Sequence, residues 1–242
     1  MKLKQKITLL ISLALIVPTL LISTLSIYRI QKKATADIEE FKTDEYAKLK
    51  MYLKHITDIA YGVIETRHKQ MQDSLSARNS RMDTSVDAKK FEASMLDDCL
   101  NELSHVRFDN DKGYFWVTDN KLPYPTMLMH AEKKNMKNQV LDDPKHNVEK
   151  EKGRNIYQVR SELCNANGDA FVEYIMKKPG TDAVENKLSY SRLYKPLGWI
   201  VSTGFYTDQI EASVVQKRDA LTEQIAEIVF FIAGISIVIL AM

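Results

Sequence analysis

The side chains able to bind or transform a small molecule occur singly along this sequence. General acid–base work needs opposed carboxylates. The paired acids, Asp97-Asp98 and Asp142-Asp143, are adjacent and read as solvated faces. No nucleophile elbow, metal-ligand motif or glycine-rich phosphate loop occurs, so neither an enzyme nor a metal or other cofactor is expected. Cys99 and Cys164 stand alone, without CxxC spacing. An oxidising compartment would permit a bond between them, and two buried free thiols are an equal reading. What remains are residues suited to holding a ligand. Arg107 can grip a carboxylate bidentately, or sit at a helix C-terminus where the dipole favours a cation. Tyr114 and Trp116 alternate with Phe115 and Val117, so each pair faces one side of a strand. The polar tips of Tyr114 and Trp116 need partners, which assigns that pair to a pocket. His130 can donate to an anion and respond to pH, or be structural. Met129 and Tyr190 are wall candidates, or core.

The elements that must carry these residues begin with an apolar end. Lys2, Lys4 and Lys6 precede an uncharged run from Ile7 to Tyr28, then Arg29, Lys32 and Lys33 follow. As a helix this run spans about 33 Å, enough to cross a hydrocarbon core. Pro18 is tolerable there. A cleaved signal peptide competes, but Ser23-Thr24-Leu25-Ser26 makes a poor cleavage site, so an anchor is expected. At the other end, Ile225 to Met242 is apolar on all faces from Ile228 onward, and stops after a stretch too short to span comfortably. That pattern is expected of a truncated second membrane helix. The intervening region of about 190 residues is then extracytoplasmic. The formal charge of +2, mixed along the chain, excludes the basic stripe of a nucleic-acid binder.

Between these ends, Ile38, Phe41, Leu49, Tyr52, Ile56, Ile59 and Val63 recur at helical spacing, predicting a long helix over about 31–72. A polar stretch from Ser74 to Asp87 separates it from a second helix marked by Phe91, Met95, Leu96, Leu100, Leu103 and Val106, ending near Arg107. Gly113 to Val117 and Thr126 to His130 read as strands around a proline-stiffened turn, Asp119 to Pro125. A polar loop or short helix runs from Glu132 to about Gly153, and a weak helical pattern from Asn155 to Leu163. Three more strands follow: Ala170 to Lys177, Leu188 to Leu193 and Trp199 to Tyr206, turned at Pro179-Gly180 and Pro196-Leu197-Gly198. An antiparallel meander is predicted. Asp208 reads as the N-cap of a helix running into the second apolar end. The long helix is expected to cover one face of a five-stranded sheet, with a pocket on the other.

Gly113-Tyr114-Phe115-Trp116-Val117-Thr118-Asp119, then Met129-His130, resemble the first hairpin of the single Cache domain (sCache_2-like) of bacterial chemoreceptors and sensor kinases. Gly168-x-x-Phe171-Val172-Glu173-Tyr174, Lys178-Pro179-Gly180, Lys187-Leu188-Ser189-Tyr190 and Pro196-x-Gly198-Trp199-Ile200-x-x-Thr203-Gly204-x-Tyr206 match it in the same order, over roughly 100–210. The sequence departs from the family at the pocket rim. Leu122-Pro123-Tyr124-Pro125 replaces a glycine turn, Ala131 replaces a proline after His130, and Lys137-Asn138 lacks a preceding glycine. The resemblance implies a PAS-like sheet with a long N-terminal helix, and sensing of short carboxylates such as acetate, propionate or pyruvate. It places Lys187 in a motif position able to supply a second positive charge beside Arg107. A surface lysine in a turn is the alternative.

The expectation is therefore an α+β fold with a PAS-like antiparallel sheet and long N-terminal helix, flanked by two transmembrane helices. Residues 1–30 form the tail and first membrane helix, 31–224 the periplasmic sensor domain, and 225–242 the second membrane helix. The expected function is that of the ligand-sensing module of a methyl-accepting chemotaxis protein in the bacterial inner membrane. It would bind a small molecule through Arg107, Tyr114, Trp116, Met129, His130, Lys187 and Tyr190. It would act as a homodimer and signal by helix displacement. The same sensor on a histidine kinase or cyclic-nucleotide enzyme is the alternative, with a structural membrane protein a further one.

Overall fold

The computed structural model describes residues 3–79, 85–150, 152–178 and 181–241. The predicted turn at Pro179-Gly180 and the middle of the polar stretch, Ser80 to Thr84, lie outside them. The chain divides into two compact units, Met1–Tyr46 with Gln209–Met242, and Ala47–Asp208.

The second unit holds the sheet. Its strands are β1 (Trp116–Asp119), β2 (Met127–His130), β3 (Asp169–Lys177), β4 (Val184–Tyr194) and β5 (Trp199–Tyr206), all antiparallel, in the order β2-β1-β5-β4-β3. Only β3-β4-β5 form the predicted meander; the first hairpin docks through β1 onto β5. Sequence spacing shows which strands are joined by turns, whereas the edge that accepts the hairpin is set by tertiary pairing. Tyr114 and Phe115 precede β1, which instead extends through Thr118 and Asp119 to pair with Ile200 and Trp199.

Helices cover both faces. Helix α1 (Leu3–Asn79) runs unbroken past the predicted end near Gln72, because the polar residues there are an exposed helical face and not a breaker. Helix α2 (Ser85–His105) follows, then α3 (Ile156–Asn167) and α4 (Asp208–Ala241). Within this unit α1 packs on one sheet face: Tyr52 meets Phe205 edge-on, Tyr61 meets Tyr194, and Asp58 accepts from Arg192 at 2.7 Å. The opposite face lies under α3. Asn155 caps that helix by accepting from the N–H groups of Tyr157 and Gln158, and Gly168 ends it at φ +87°, where an L side chain would be strained. Cys99 and Cys164 are both buried free thiols, on α2 and α3.

In the first unit the α1 and α4 segments meet through Lys42–Glu211, Tyr46–Glu211 and Arg218–Glu39, around buried Ile38 and Val214. Two helices are long and apolar enough to cross a membrane, within 5–77 and 208–239. Their apolar windows are almost wholly unburied by protein, as a lipid-facing surface requires.

Candidate functional site

Strand alternation puts Tyr114, Trp116 and His130 on one face of the sheet, since Trp116 pairs with His130 across the β1–β2 ladder. Register places Ser202, Gly204 and Tyr206 of β5, Lys187, Ser189 and Ser191 of β4, and Tyr174 of β3 on the same face. The centre of this face is lined by small residues, which leaves room above it for long side chains. Gly204 lies so close to β4 that a Cβ would stand 2.8 Å from the Leu188 carbonyl oxygen.

Into this space come two cations. Lys187 is 2% exposed, and its Nζ lies 4.9 Å from the Tyr114 ring, 5.5 Å from Trp116 and 4.9 Å from Tyr206. It donates to Tyr114 Oη at 3.1 Å. Arg160, 1% exposed, descends from α3 with its guanidinium 5.2 Å from both Trp116 and Tyr157 and 5.9 Å from Tyr174. Its Nη2 donates to Ser189 Oγ at 3.2 Å, while its Nε and Nη1 are buried with no partner, as is Trp116 Nε1. Among the described residues, no carboxylate pairs with Arg160 or Lys187. Buried cations ordinarily require a paired anion.

The electrostatics follow from that arrangement. Burial, reinforced by Lys133 and Arg160, lowers Lys187 to about 7. His130 stacks on Trp116, and burial with the nearby cations lowers it to about 3, so the ring is neutral near pH 7. Its Nδ1 accepts from the N–H groups of Glu132 and Lys133 at 3.1 and 3.0 Å, which puts the imidazole proton on Nε2. Burial raises the Tyr114 phenol well above its ordinary value, so it stays protonated. The cage thus presents N–H and O–H donors and two aromatic walls, and suits a small anion. No cluster of three or more His, Cys, Asp or Glu side chains exists among the described residues to hold a metal.

Of the residues singled out from the sequence, Tyr114, Trp116, His130 and Lys187 converge here. Lys187 belongs to a strand and is fully buried, so the surface-turn reading does not hold. Three others are not brought to the cage. Arg107 donates to the Ser104 and Val106 carbonyls just beyond α2 and pairs with Glu132 at 3.2 Å. Met129 shares the opposite face with Val117 and, with α2 residues and His130, lines a cavity of about 250 Å³ that neither Arg160 nor Lys187 lines. Tyr190 also points to the opposite face, donating to Asp169 at 2.7 Å and packing on Phe171. Arg160 is the residue that sequence reading missed. It stands one helical turn after buried Ile156 and one before buried Cys164, a charge on an apolar stripe, and that pattern was the available signal.

A PAS-like sheet with a long N-terminal helix, and two buried cations over one face of that sheet, is the arrangement of a sensor domain. The chain belongs to the Cache domain family: the dCache_2 Cache domain profile matches residues 28–230. It is 32% identical over 122 residues to the methyl-accepting chemotaxis protein McpP of Pseudomonas putida, covering 50% of this chain and 21% of that protein. It is 23% identical over 242 residues to the methyl-accepting chemotaxis protein CtpM of Pseudomonas aeruginosa, covering 98% of this chain and 38% of that one. The chain therefore spans about a fifth to two-fifths of the length of these relatives. In structure it resembles a Cache chemosensory domain described for carboxylic acid recognition, with TM-score 0.50 and 24% identity, covering 68% of this chain and 97% of that one. That likeness supports the fold.

Proposed function

We propose that this chain is the sensing region of a chemotaxis receptor, and that the cage between α3 and the sheet binds a short carboxylate. In this reading residues 1–30 and 225–242 cross the bacterial inner membrane, and 31–224 lie in the periplasm as one half of a homodimer. The observation that carries the reading is the pair of buried cations, Arg160 and Lys187, beside unpartnered N–H groups and without a carboxylate of their own. Charge-assisted hydrogen bonds from a guanidinium are the usual means of holding a carboxylate. The relatives named for chemotaxis, and the structural neighbour described for carboxylic acid recognition, agree with it.

Signal transmission starts at Tyr206. Its ring packs on Lys187, and it is the last residue of β5. Thr207 follows, pinned by its N–H to the Asn186 carbonyl, and α4 begins at Asp208, which pairs with Lys178. An anion drawn onto Lys187 moves the end of β5 and, through two residues of chain, the start of α4. Displacements of about 1–2 Å are typical of such helix switches.

The test is thermal unfolding of the chain in detergent against a panel of small carboxylates, amino acids and amines. A ligand at a hundred times its dissociation constant adds about 2.7 kcal/mol. A shift with short carboxylates, lost in Arg160→Met, is expected. A shift with amines alone would overturn the assignment.

A further inference from the structure

The cage offers more than one carboxylate can use. A carboxylate has roughly four lone-pair sites on two oxygens. Facing the cage are Arg160 Nε and Nη1, both unpartnered, and Trp116 Nε1, also unpartnered. Lys187 spends one of its three N–H groups on Tyr114. His130 presents its Nε2 proton, because Nδ1 is taken by two backbone N–H groups. The hydroxyls of this face do not absorb these donors. Ser189 Oγ already accepts from Arg160 and donates to the Val172 carbonyl, and Ser191 and Ser202 pair with each other at 2.7 Å. If a carboxylate satisfies the guanidinium, the indole N–H and the ammonium still face the rest of the ligand. The Tyr114, Trp116 and His130 rings lie within 5.4–6.0 Å of one another and pack closely beside these donors.

Resting on the carboxylate reading above, we propose that the cage selects short 2-oxo and 2-hydroxy acids over plain alkyl acids of the same length. The oxygen on the second carbon accepts from Trp116 Nε1 and Lys187 Nζ, while the carboxylate takes Arg160. A plain alkyl acid sets a methylene against these donors and leaves them buried and unpaired. Sites built to hydrogen-bond a ligand oxygen discriminate strongly against the analogue that lacks it. Trp116 and Lys187 are thereby the specificity-determining residues, and Arg160 is the common anchor.

Pyruvate and propionate isolate the effect, because they share a three-carbon skeleton and differ at the second carbon. Calorimetric titration of the full chain in detergent with pyruvate, lactate and propionate reads the ratio directly. Pyruvate or lactate is expected to bind about tenfold or more tightly than propionate. Trp116→Phe and Lys187→Met are expected to bring that ratio close to one while propionate binding persists; should one variant fail to fold, the other carries the test. Propionate binding as tightly as both oxygenated acids would overturn this inference and leave the carboxylate reading standing. Binding of none of the three by a chain that still melts cooperatively would remove both.

Discussion

Lys187 makes the stability of the ligand-free protein depend on pH in a window where few other groups titrate. Its pKa falls from 10.5 in the unfolded chain to about 7 in the fold, chiefly through burial. Between these values the unfolded state binds more protons than the folded one, so stability rises with pH. Integrating that difference from pH 7 to 8.5 gives a gain of about 1.5 kcal/mol. For a chain of this size it raises the unfolding midpoint by roughly 3–6 °C. The histidine and thiol contributions lie mostly outside this window. His130, lowered from 6.5 to about 3, gains stability with pH only below about 6.5. Cys99, raised from 9.0 to about 11, loses stability only as pH climbs past about 9. Lys133 is also lowered by burial, so the comparison with Lys187→Met isolates the effect. Trp116 and Trp199, the two tryptophans of the chain, are 3% and 7% exposed in the sheet unit, and their fluorescence reports its melting. The midpoint is expected to climb from pH 7 to 8.5 in the wild type and to climb markedly less in Lys187→Met. A level or falling wild-type midpoint, or the same climb in the variant, would refute the reasoning.

Four further outcomes follow from the same geometry. A carboxylate beside Lys187 favours the ammonium, so binding at pH 8 is expected to take up close to one proton, read from calorimetry in buffers of different ionisation enthalpy; heats independent of buffer would contradict it. Asn155→Ala removes the α3 cap and a bond to the Leu141 carbonyl, and should cost about 1–2 kcal/mol in denaturant unfolding together with weaker ligand binding, since α3 carries Arg160. Gly204→Ala forces a Cβ to 2.8 Å from the Leu188 oxygen and 3.0 Å from Ser189 Cα, and should cost about 1–3 kcal/mol; an unchanged melting midpoint would show that β4 and β5 can separate there. Arg107→Ala should keep ligand affinity within about threefold, because Arg107 is engaged by Glu132 and two carbonyls, whereas Arg160→Met should abolish binding.

Helical spacing and strand alternation made the sheet, the long helix and the two apolar ends legible, because both patterns are local. The facing of Tyr114 and Trp116 was equally legible, since a two-residue period assigns sides without knowledge of the partner strands. Sheet order was not, because nothing in the β1–β2 hairpin specifies the edge it will join. Tyr190 shows the limit from the other direction. It lies three residues from Lys187, so alternation alone sends the two to opposite faces, and of its two readings, pocket wall or core, the wall does not hold. Arg107 was the expected anchor because a guanidinium grips a carboxylate bidentately, but its N–H groups meet local carbonyls and Glu132, close to the alternative of an arginine at a helix end. Arg160 was hidden because its helix is short and its pattern weak. Its position between Ile156 and Cys164 acquires meaning once Asn155 and Gly168 fix the frame of α3.

The indole N–H of Trp116 tests the central claim most directly. It is buried and unpartnered beside Arg160, and the chain's other tryptophan, Trp199, pairs with Asp119 and Tyr194 at the far end of β5. A proton–nitrogen correlation spectrum of the labelled chain therefore holds two indole signals, one at the cage and one as an internal reference. Titration with pyruvate is expected to move the Trp116 signal downfield in a saturable manner while Trp199 stays in place, and Arg160→Met should abolish the movement. A Trp116 signal that remains still while the protein binds the acid would place the ligand elsewhere and contradict the assignment of the cage.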